Sequence, residues 1–224
     1  MAKGLFISTR SRPDIIPTVS VLSGRVREPN ESDRKKLIRL LEYLNGSREM
    51  HLTLRYDGLS LAKWHIDSAF ACHPDFRSQS GGVLLLHPGG GGIAAGSVKQ
   101  KLNTRSSTMA ELVAVDDFLS KVLWVRSFLQ EQGIDVESHV YQDNQSCILM
   151  CKKGRECLSK RTRAMNVRYF AVKDSVEKGF LKIMHLGTNE MLGDYFTKPL
   201  QGSKFRDFRK LILGILDPES VGGH

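Results

Sequence analysis

The sequence predicts an α/β protein: a five-stranded mixed sheet with helices on both faces, plus a short N-terminal helical segment. Three strand-like stretches follow one another between residues 59 and 98 and are separated by turn-forming residues. Beyond residue 107, helix-like and strand-like stretches alternate. Consecutive strands form an antiparallel meander, whereas strands separated by helices pair in parallel, so this order is typical of a mixed sheet.

The composition is that of an ordinary soluble globular protein with an excess of positive charge. Of the 224 residues, 41% are hydrophobic and 25% are charged, and the formal net charge is +9, which favours a polyanionic partner such as nucleic acid. The sequence contains no apolar run that could cross a bilayer and no signal peptide, so we expect no membrane contact and a cytoplasmic location. The cysteines lack the partners of a zinc site and are expected to be reduced core thiols. They are Cys72, Cys147, Cys151 and Cys157.

Residues 1–55 are expected to form a separate helical segment. A turn over residues 8–14 precedes a helix over residues 15–25, and a second helix begins near residue 31 and ends at Asn45-Gly46. The apolar face of the second helix consists of Leu37, Leu40, Leu41 and Leu44. A segment this short cannot bury a core by itself, so it is expected to be the end of a larger domain and to supply no catalytic group.

The first three strands are predicted over residues 59–70, 83–86 and 93–98. Pro88 and the four glycines that follow it lie between the second and third strands, and this composition favours a hairpin turn. The glycine run lacks the Gly-Lys-Ser/Thr ending of a phosphate-binding loop, so no nucleotide site is expected there.

The alternating part of the chain begins with a long helix. In order, we predict helix 108–133, strand 134–141, helix 147–151, helix 161–178, strand 180–186, helix 188–198, helix 203–213 and a loose tail over 217–224. The sheet domain is therefore expected to cover residues 56–200, followed by a C-terminal helix and tail in residues 201–224.

Four acidic residues lie at the edges of these predicted elements. They are Asp67 on the first strand, Glu111 in the first turn of the long helix, Asp143 directly after the fourth strand, and Asp194 on the late helix. Each also fits a simple structural role. Asp67 and Asp194 fit solvated surface positions, Asp143 or its neighbour Asn144 fits a helix cap, and Glu111 completes a capping box with Thr108.

Together, these acids lie in motifs that resemble the ribonuclease H region of copia-type retrotransposon Pol polyproteins. The matching boxes are Ser107-Thr108-Met109-Ala110-Glu111, Gln142-Asp143-Asn144-Gln145-Ser146 and Leu192-Gly193-Asp194-Tyr195-Phe196-Thr197-Lys198, with Ile66-Asp67-Ser68 for the first-strand aspartate. The resemblance extends over about residues 5–213 and implies a ribonuclease H-like fold. It also implies that residues 1–55 are the C-terminal helical remnant of a reverse transcriptase domain.

The resemblance implies a metal-dependent ribonuclease H, an endonuclease that cleaves the RNA strand of RNA–DNA hybrids during reverse transcription. Its cofactor would be two Mg²⁺ ions about 4 Å apart, with Mn²⁺ as the alternative ion. The catalytic, metal-binding residues would be Asp67, Glu111, Asp143 and Asp194. Asp67 and Asp143 would contact both metal regions, Glu111 one and Asp194 the other. Mg²⁺ prefers carboxylate oxygens, and four such groups would repel one another without it.

The expected substrate contacts fall into two groups. Asn144, Ser107 and backbone groups near Ser68 are candidate readers of the RNA 2′-hydroxyl. Lys160, Arg161 and Arg163, within the basic stretch 152–168, are candidate phosphate contacts, and the alternative is that this stretch is a solvated helix face. The expected partners are the RNA–DNA hybrid and the upstream reverse transcriptase domain. Virus-like particles and the nucleus are alternative locations to the cytoplasm.

Three departures from the family's pattern leave two other functions open. Ala69 stands where the family usually has a second aspartate, Ala95 replaces a tryptophan, and Arg163-Ala164-Met165-Asn166 replaces a Lys-His-Ile-Asp stretch. None of these changes removes one of the four acids. The alternatives are a catalytically decayed nucleic-acid-binding domain of the same fold, and a related DNA nuclease or transposase.

Overall fold

A computed structural model describes residues 1–55, 61–87, 89–153 and 163–215, and these contain a single five-stranded sheet with the order β3-β2-β1-β4-β5. The strands are β1 Leu61–Ala69, β2 Gln79–Leu85, β3 Ala94–Lys99, β4 Glu137–Gln142 and β5 Lys182–His185. The first three strands pair antiparallel, whereas β4 pairs parallel with β1 and β5 pairs parallel with β4. The mixed sheet expected from the sequence is confirmed.

The helices cover both faces of this sheet, as expected. They are α1 Ala2–Arg10, α2 Ile16–Ser23, α3 Glu31–Gly46, α4 Ser107–Glu131, α5 Gln145–Lys153, α6 Arg163–Glu177, α7 Asp194–Thr197 and α8 Gly202–Leu213, with a 3₁₀ turn Pro13–Ile15 before α2. On one face, Trp64 and Ile66 of β1 belong to a core shared with α4, α5 and α6. On the other face, Val83 of β2 packs with Phe196 of α7 and Ile212 of α8.

The second strand is longer than the sequence predicts, and its first residues bring the chain close to α7. All seven residues of β2 are buried, including Gly81 and Gly82. A side-chain Cβ at Gly81 would lie 2.6 Å from Thr197 Cγ2 and 2.7 Å from Phe196 Cβ. The prediction missed this part because glycines and serines have low strand propensity, and close packing of backbone against backbone leaves no apolar pattern.

The late helix predicted over residues 188–198 is wrong. Only Asp194–Thr197 are helical, and residues 188–193 form turns. Gly193 weakens a helix at this place, because glycine has a low helix propensity. Its backbone lies directly against β1, where a Cβ would be 2.7 Å from the Cβ of Asp67.

The N-terminal segment packs beside the sheet. The Ser20 hydroxyl of α2 donates to the carbonyl of Ser97 on β3 at 2.7 Å. Two of the sequence predictions for this segment are wrong. Helix α1 occupies part of the predicted turn. In the predicted leucine face, Leu40 is buried, whereas Leu37 and Leu41 are exposed. The domain boundary after residue 55 stays a prediction, because residues 56–60 lie outside the described part of the chain.

Two further sequence predictions concern the cysteines and the membrane. Cys147 and Cys151 are buried free thiols, as expected, whereas Cys72 is exposed in the loop after β1. Cys157 and the predicted tail over residues 217–224 lie outside the described residues. Among the helices of the described ranges, none combines the length and apolar character that a membrane span requires.

Candidate active site

Three of the four predicted acids meet at one edge of the sheet. Asp67 lies near the end of β1, Asp143 directly follows β4, and Glu111 lies in the first turns of α4. One carboxylate oxygen from each of them lies within 4.8 Å of those from the other two. Because β1 and β4 are adjacent and parallel, their C-terminal ends share this edge. The cluster fits a divalent metal ion.

Local contacts explain why these acids are available to the site. The Asn144 side chain accepts from the N–H of Cys147 at 3.0 Å and so caps α5, which leaves the Asp143 carboxylate free of that role. The long helix is capped by Ser106, whose hydroxyl accepts from the N–H of Met109 at 3.2 Å. The capping-box role considered for Glu111 is therefore wrong, because the N-cap of α4 is Ser106, two residues before Thr108.

The solvated surface roles considered for Asp67 and Asp194 are also wrong. Both residues are only 1% exposed, and Glu111 is 5% exposed. Burial is the main cause that raises the pKa of Glu111 well above the usual range of a glutamate, and the negative charge of Asp67 raises it further. Burial likewise raises the pKa of Asp67, although the neighbouring Lys198 and Thr197 oppose this change. The negative charge of the cluster is thus poorly compensated by the protein itself.

The fourth acid, Asp194, lies beside this cluster rather than within it. One of its oxygens is paired with the ammonium group of Lys198, and the other accepts from Lys204 Nζ at 2.8 Å. Lys198 Nζ also lies 3.6 Å from Asp67 Oδ2, so this lysine connects Asp194 to the cluster. The sequence prediction that four carboxyl groups converge is therefore met by three of them, with the fourth connected through a lysine.

The structure adds polar partners that sequence reasoning missed. The Thr188 hydroxyl donates to Asp143 Oδ2 at 3.0 Å, and the Thr197 hydroxyl donates to Asp67 Oδ2. Thr197 and Lys198 lie in the late motif, so their presence there was the available signal. Thr188 and Lys204 come from a loop and from α8, and no local pattern distinguishes them.

The predicted substrate residues are spread around the cluster. Ser68 is buried next to Asp67, Ser107 is exposed at the start of α4, and Asn144 is half-buried after Asp143. Lys160 and Arg161 lie outside the described residues, as does the side chain of Arg163.

The one basic residue of this stretch with described side-chain contacts is committed to the fold. Arg168 Nη1 donates to Asp116 at 2.7 Å and to Asp117 at 3.0 Å, which ties α6 to α4.

Comparison with known proteins places the chain among retrotransposon sequences. No family model matches it. It is 32% identical, over 95% of its length, to the retrovirus-related Pol polyprotein from transposon RE2 of Arabidopsis thaliana. It is 31% identical, over 90% of its length, to the corresponding protein from transposon TNT 1-94 of Nicotiana tabacum.

The chain spans only 15% of the length of either of these relatives. Among solved structures, LC11-RNase H1, isolated from compost, is 14% identical with a TM-score of 0.46, covering 62% of this chain and 94% of that one. On the strength of the sequence relatives, the chain is a homologue of a segment of the Pol polyproteins of copia-type retrotransposons.

Proposed function

We propose that the chain is a metal-dependent ribonuclease H that cleaves the RNA strand of RNA–DNA hybrids during retrotransposon reverse transcription. The observation that carries this proposal is the approach of the Asp67, Glu111 and Asp143 carboxyl groups at one edge of the sheet. Buried carboxylates this close together are unfavourable unless a cation joins them. Homology with Pol polyproteins supports the setting in reverse transcription.

The donor set fits a hard divalent cation. All three residues offer oxygen ligands, which suit Mg²⁺ and Mn²⁺ better than softer metals. Glu111 Oε2 is buried and has no hydrogen-bond partner among the described residues, so it is available as a ligand. We propose Mg²⁺ as the natural ion. Asp67 and Asp143 would hold both ions, Glu111 one and Asp194 the other.

The mechanism we propose is two-metal hydrolysis of the phosphodiester. When bound, the two ions would supply an activated water and neutralise the charge on the leaving oxygen. The chain's own residues orient the carboxylates for this task. Thr188 fixes Asp143 through one oxygen and leaves its other oxygen for a ligand. Thr197 and Lys198 lower the pKa of Asp67 against the effect of burial, which favours the ionised form that a metal needs.

Recognition of the RNA strand would depend on polar groups beside the cluster. Ser107 is exposed at the start of α4, and the amide NH₂ of Asn144 remains available because its oxygen caps α5. The Ser68 hydroxyl is buried. Backbone groups near Ser68, together with Ser107 and Asn144, would contact the 2′-hydroxyl that distinguishes RNA from DNA. The phosphate contacts of Lys160, Arg161 and Arg163 stay a prediction. We also propose the reverse transcriptase domain of the same polyprotein as a partner and the cytoplasm as the location.

The test is a cleavage assay with labelled RNA–DNA hybrid, double-stranded DNA and double-stranded RNA. The native chain with Mg²⁺ is expected to cut only the RNA strand of the hybrid, and Asp143→Asn is expected to reduce the rate by several orders of magnitude. Tight hybrid binding without cleavage would instead identify a decayed nucleic-acid-binding domain. Preferential cutting of double-stranded DNA would identify a DNA nuclease or transposase.

A further inference from the structure

The position of Asp194 depends on contacts that α7 makes with the rest of the molecule. This helix is a single turn of four residues, Asp194–Thr197, and a single turn is not stable by itself. Asp194 is nevertheless only 1% exposed, so its carboxylate is held in a defined place. What holds α7 therefore decides where the fourth acid lies.

The sheet holds α7 from one side. The Ser97 hydroxyl of β3 donates to the carbonyl of Phe196 at 2.5 Å. The glycine at position 81 of β2 lets the backbone of α7 approach so closely that a methyl group there would collide with it. These contacts fix the distance between α7 and the sheet.

The N-terminal segment holds α7 from the other side. Tyr195, the residue next to Asp194, donates its hydroxyl to the backbone carbonyl of Asp14 at 3.1 Å. Its ring is 3% exposed and stacks on Phe205 with 5.4 Å between ring centroids. Burial raises the pKa of the Tyr195 hydroxyl, which keeps it a hydrogen-bond donor at neutral pH. Ile16 of α2 lies in the same hydrophobic cluster as Tyr195.

The accepting carbonyl belongs to a rigid part of the N-terminal segment. Arg12 binds both oxygens of the Asp14 carboxylate, at 2.9 and 2.7 Å, and Tyr43 of α3 donates to the same carboxylate at 2.6 Å. Arg12 also donates to the carbonyl of Ser47 at 3.0 Å. Buried networks in which each member is satisfied are rigid, so Asp14 is a fixed point against which Tyr195 can be held.

We propose that Tyr195 is a positioning residue through which residues 12–47 fix Asp194 beside the carboxyl cluster. The segment that the sequence separates from the site would then set the geometry of one metal ligand without supplying a ligand itself. This inference rests on the proposed metal-binding function. It predicts that a change in the packing of the N-terminal segment alters the affinity for a divalent ion. The effect would pass through Tyr195, because the N-terminal segment itself does not contact the metal.

The test compares Tyr195→Phe with Tyr43→Phe. Both changes remove one hydroxyl that donates to Asp14, but Tyr195 adjoins Asp194 and Tyr43 does not. Binding of Mn²⁺ to the metal-free full chain would be measured by isothermal titration calorimetry, alongside the melting temperature. Loss of a single hydrogen bond in the support of a ligand is expected to weaken binding of one ion by roughly three- to tenfold in Tyr195→Phe. Tyr43→Phe loosens Asp14 one contact further from the metal ligand, so it is expected to weaken binding in the same direction by a smaller factor, up to about twofold.

A milder variant covers the case in which Tyr195→Phe does not fold. Phe205→Leu removes the ring that stacks on Tyr195 with 5.4 Å between ring centroids and leaves the Tyr195 hydroxyl in place, so it is expected to weaken Mn²⁺ binding in the same direction. Equal Mn²⁺ affinity in Tyr195→Phe, Tyr43→Phe and the native chain would overturn the inference. Asp143→Asn separates the two levels. If Asp143→Asn abolishes Mn²⁺ binding and Tyr195→Phe does not weaken it, only this inference fails. If Asp143→Asn leaves Mn²⁺ binding intact, the proposed metal site itself is wrong.

Discussion

At the scale of single residues, Glu111 is a buried carboxyl group in a place that is unfavourable for the stability of the folded chain. Its carboxyl group is buried, one of its oxygens lacks a partner in the described part of the chain, and Asp67 lies close by. A residue chosen for folding alone would be neutral or paired in this place. A bound cation would compensate the charge of these carboxylates and accept the free oxygen of Glu111 as a ligand.

The first prediction follows from the raised pKa of Glu111. The folded chain binds this proton more tightly than the unfolded chain, so the stability of the metal-free protein is full below the ordinary pKa of a glutamate and falls as the pH rises through the raised pKa. Glu111→Gln removes this loss and is expected to stabilise the metal-free protein by about 1–3 kcal/mol at about pH 9. Urea unfolding as a function of pH measures the difference.

The control is Glu131→Gln, which changes an exposed glutamate at the end of the same helix. It is expected to leave the pH profile of stability unchanged. A Glu111→Gln variant less stable than the native chain at both low and high pH would show that the carboxylate is compensated in the folded protein, contrary to this interpretation. The same variant is expected to lose divalent-ion binding.

At the scale of elements, the contact between β2 and α7 is the one that the site depends on most. The strand supplies a glycine where the helix approaches, and the helix carries Thr197, Lys198 nearby and Asp194 at its start. The strand and the turn are separated by more than a hundred residues, so neither alone indicates that they fit together.

The second prediction concerns Gly81→Ala. The added methyl carbon would meet Thr197 Cγ2 at 2.6 Å and the backbone carbon of Phe196 at 2.9 Å, so either α7 moves away or the strand bends. We expect a loss of about 2–4 kcal/mol in the free energy of unfolding and weaker metal binding. Thermal and urea unfolding give the first quantity, and calorimetry gives the second.

A matched substitution is available in α3. Gly46→Ala places a methyl group where no atom lies within 4 Å, and it is expected to be neutral or to stabilise the protein by up to about 1 kcal/mol. If both substitutions had the same small effect, the close approach of α7 to β2 would not be a determinant of the fold.

At the scale of the whole molecule, the formal net charge of +9 favours association with a polyanion, and the acidic cluster is a local exception to it. Basic residues elsewhere would attract the phosphate backbone, and the carboxyl groups would bind cations. Much of the affinity for a hybrid would then be electrostatic and would decrease with salt.

The third prediction tests this for the basic stretch. A Lys160→Ala, Arg161→Ala double variant is expected to bind the hybrid with a shallower dependence on salt, the slope of log K against log salt changing by roughly one to two, because fewer counterions are released. Cleavage at saturating hybrid is expected to change little. The measurement is hybrid affinity by fluorescence anisotropy over a range of salt concentrations.

A control double variant is Lys3→Ala, Lys35→Ala, which removes two exposed charges from the N-terminal helices. It changes the net charge equally, so a matching change in slope would mean that overall charge matters and the basic stretch does not. An unchanged slope in the first variant would mean that residues 152–168 are a solvated face, and that the second strand lies elsewhere.

The five strands and three of the acids at the sheet edge could be predicted from local patterns and motifs in the sequence. Asp67, Glu111 and Asp143 were identified because each lies near an edge of a predicted element and in a motif that resembles the ribonuclease H region. The structure brings the three carboxyl groups together. The elements could be predicted from strand alternation, glycine turns and the apolar stripe of α4. Each of these signals depends only on residues that are close in sequence.

The groups that surround those acids could not be predicted from the sequence, because they come from other elements of the fold. The pairing of Asp194 with Lys204, the bond from Thr188 to Asp143 and the bond from Tyr195 to Asp14 join residues from different elements, the last across 181 positions. The close contact between the Gly193 backbone and Asp67 is likewise seen only in the folded chain. Such contacts leave no periodicity in the chain, because their geometry is set by packing between elements that are distant in sequence.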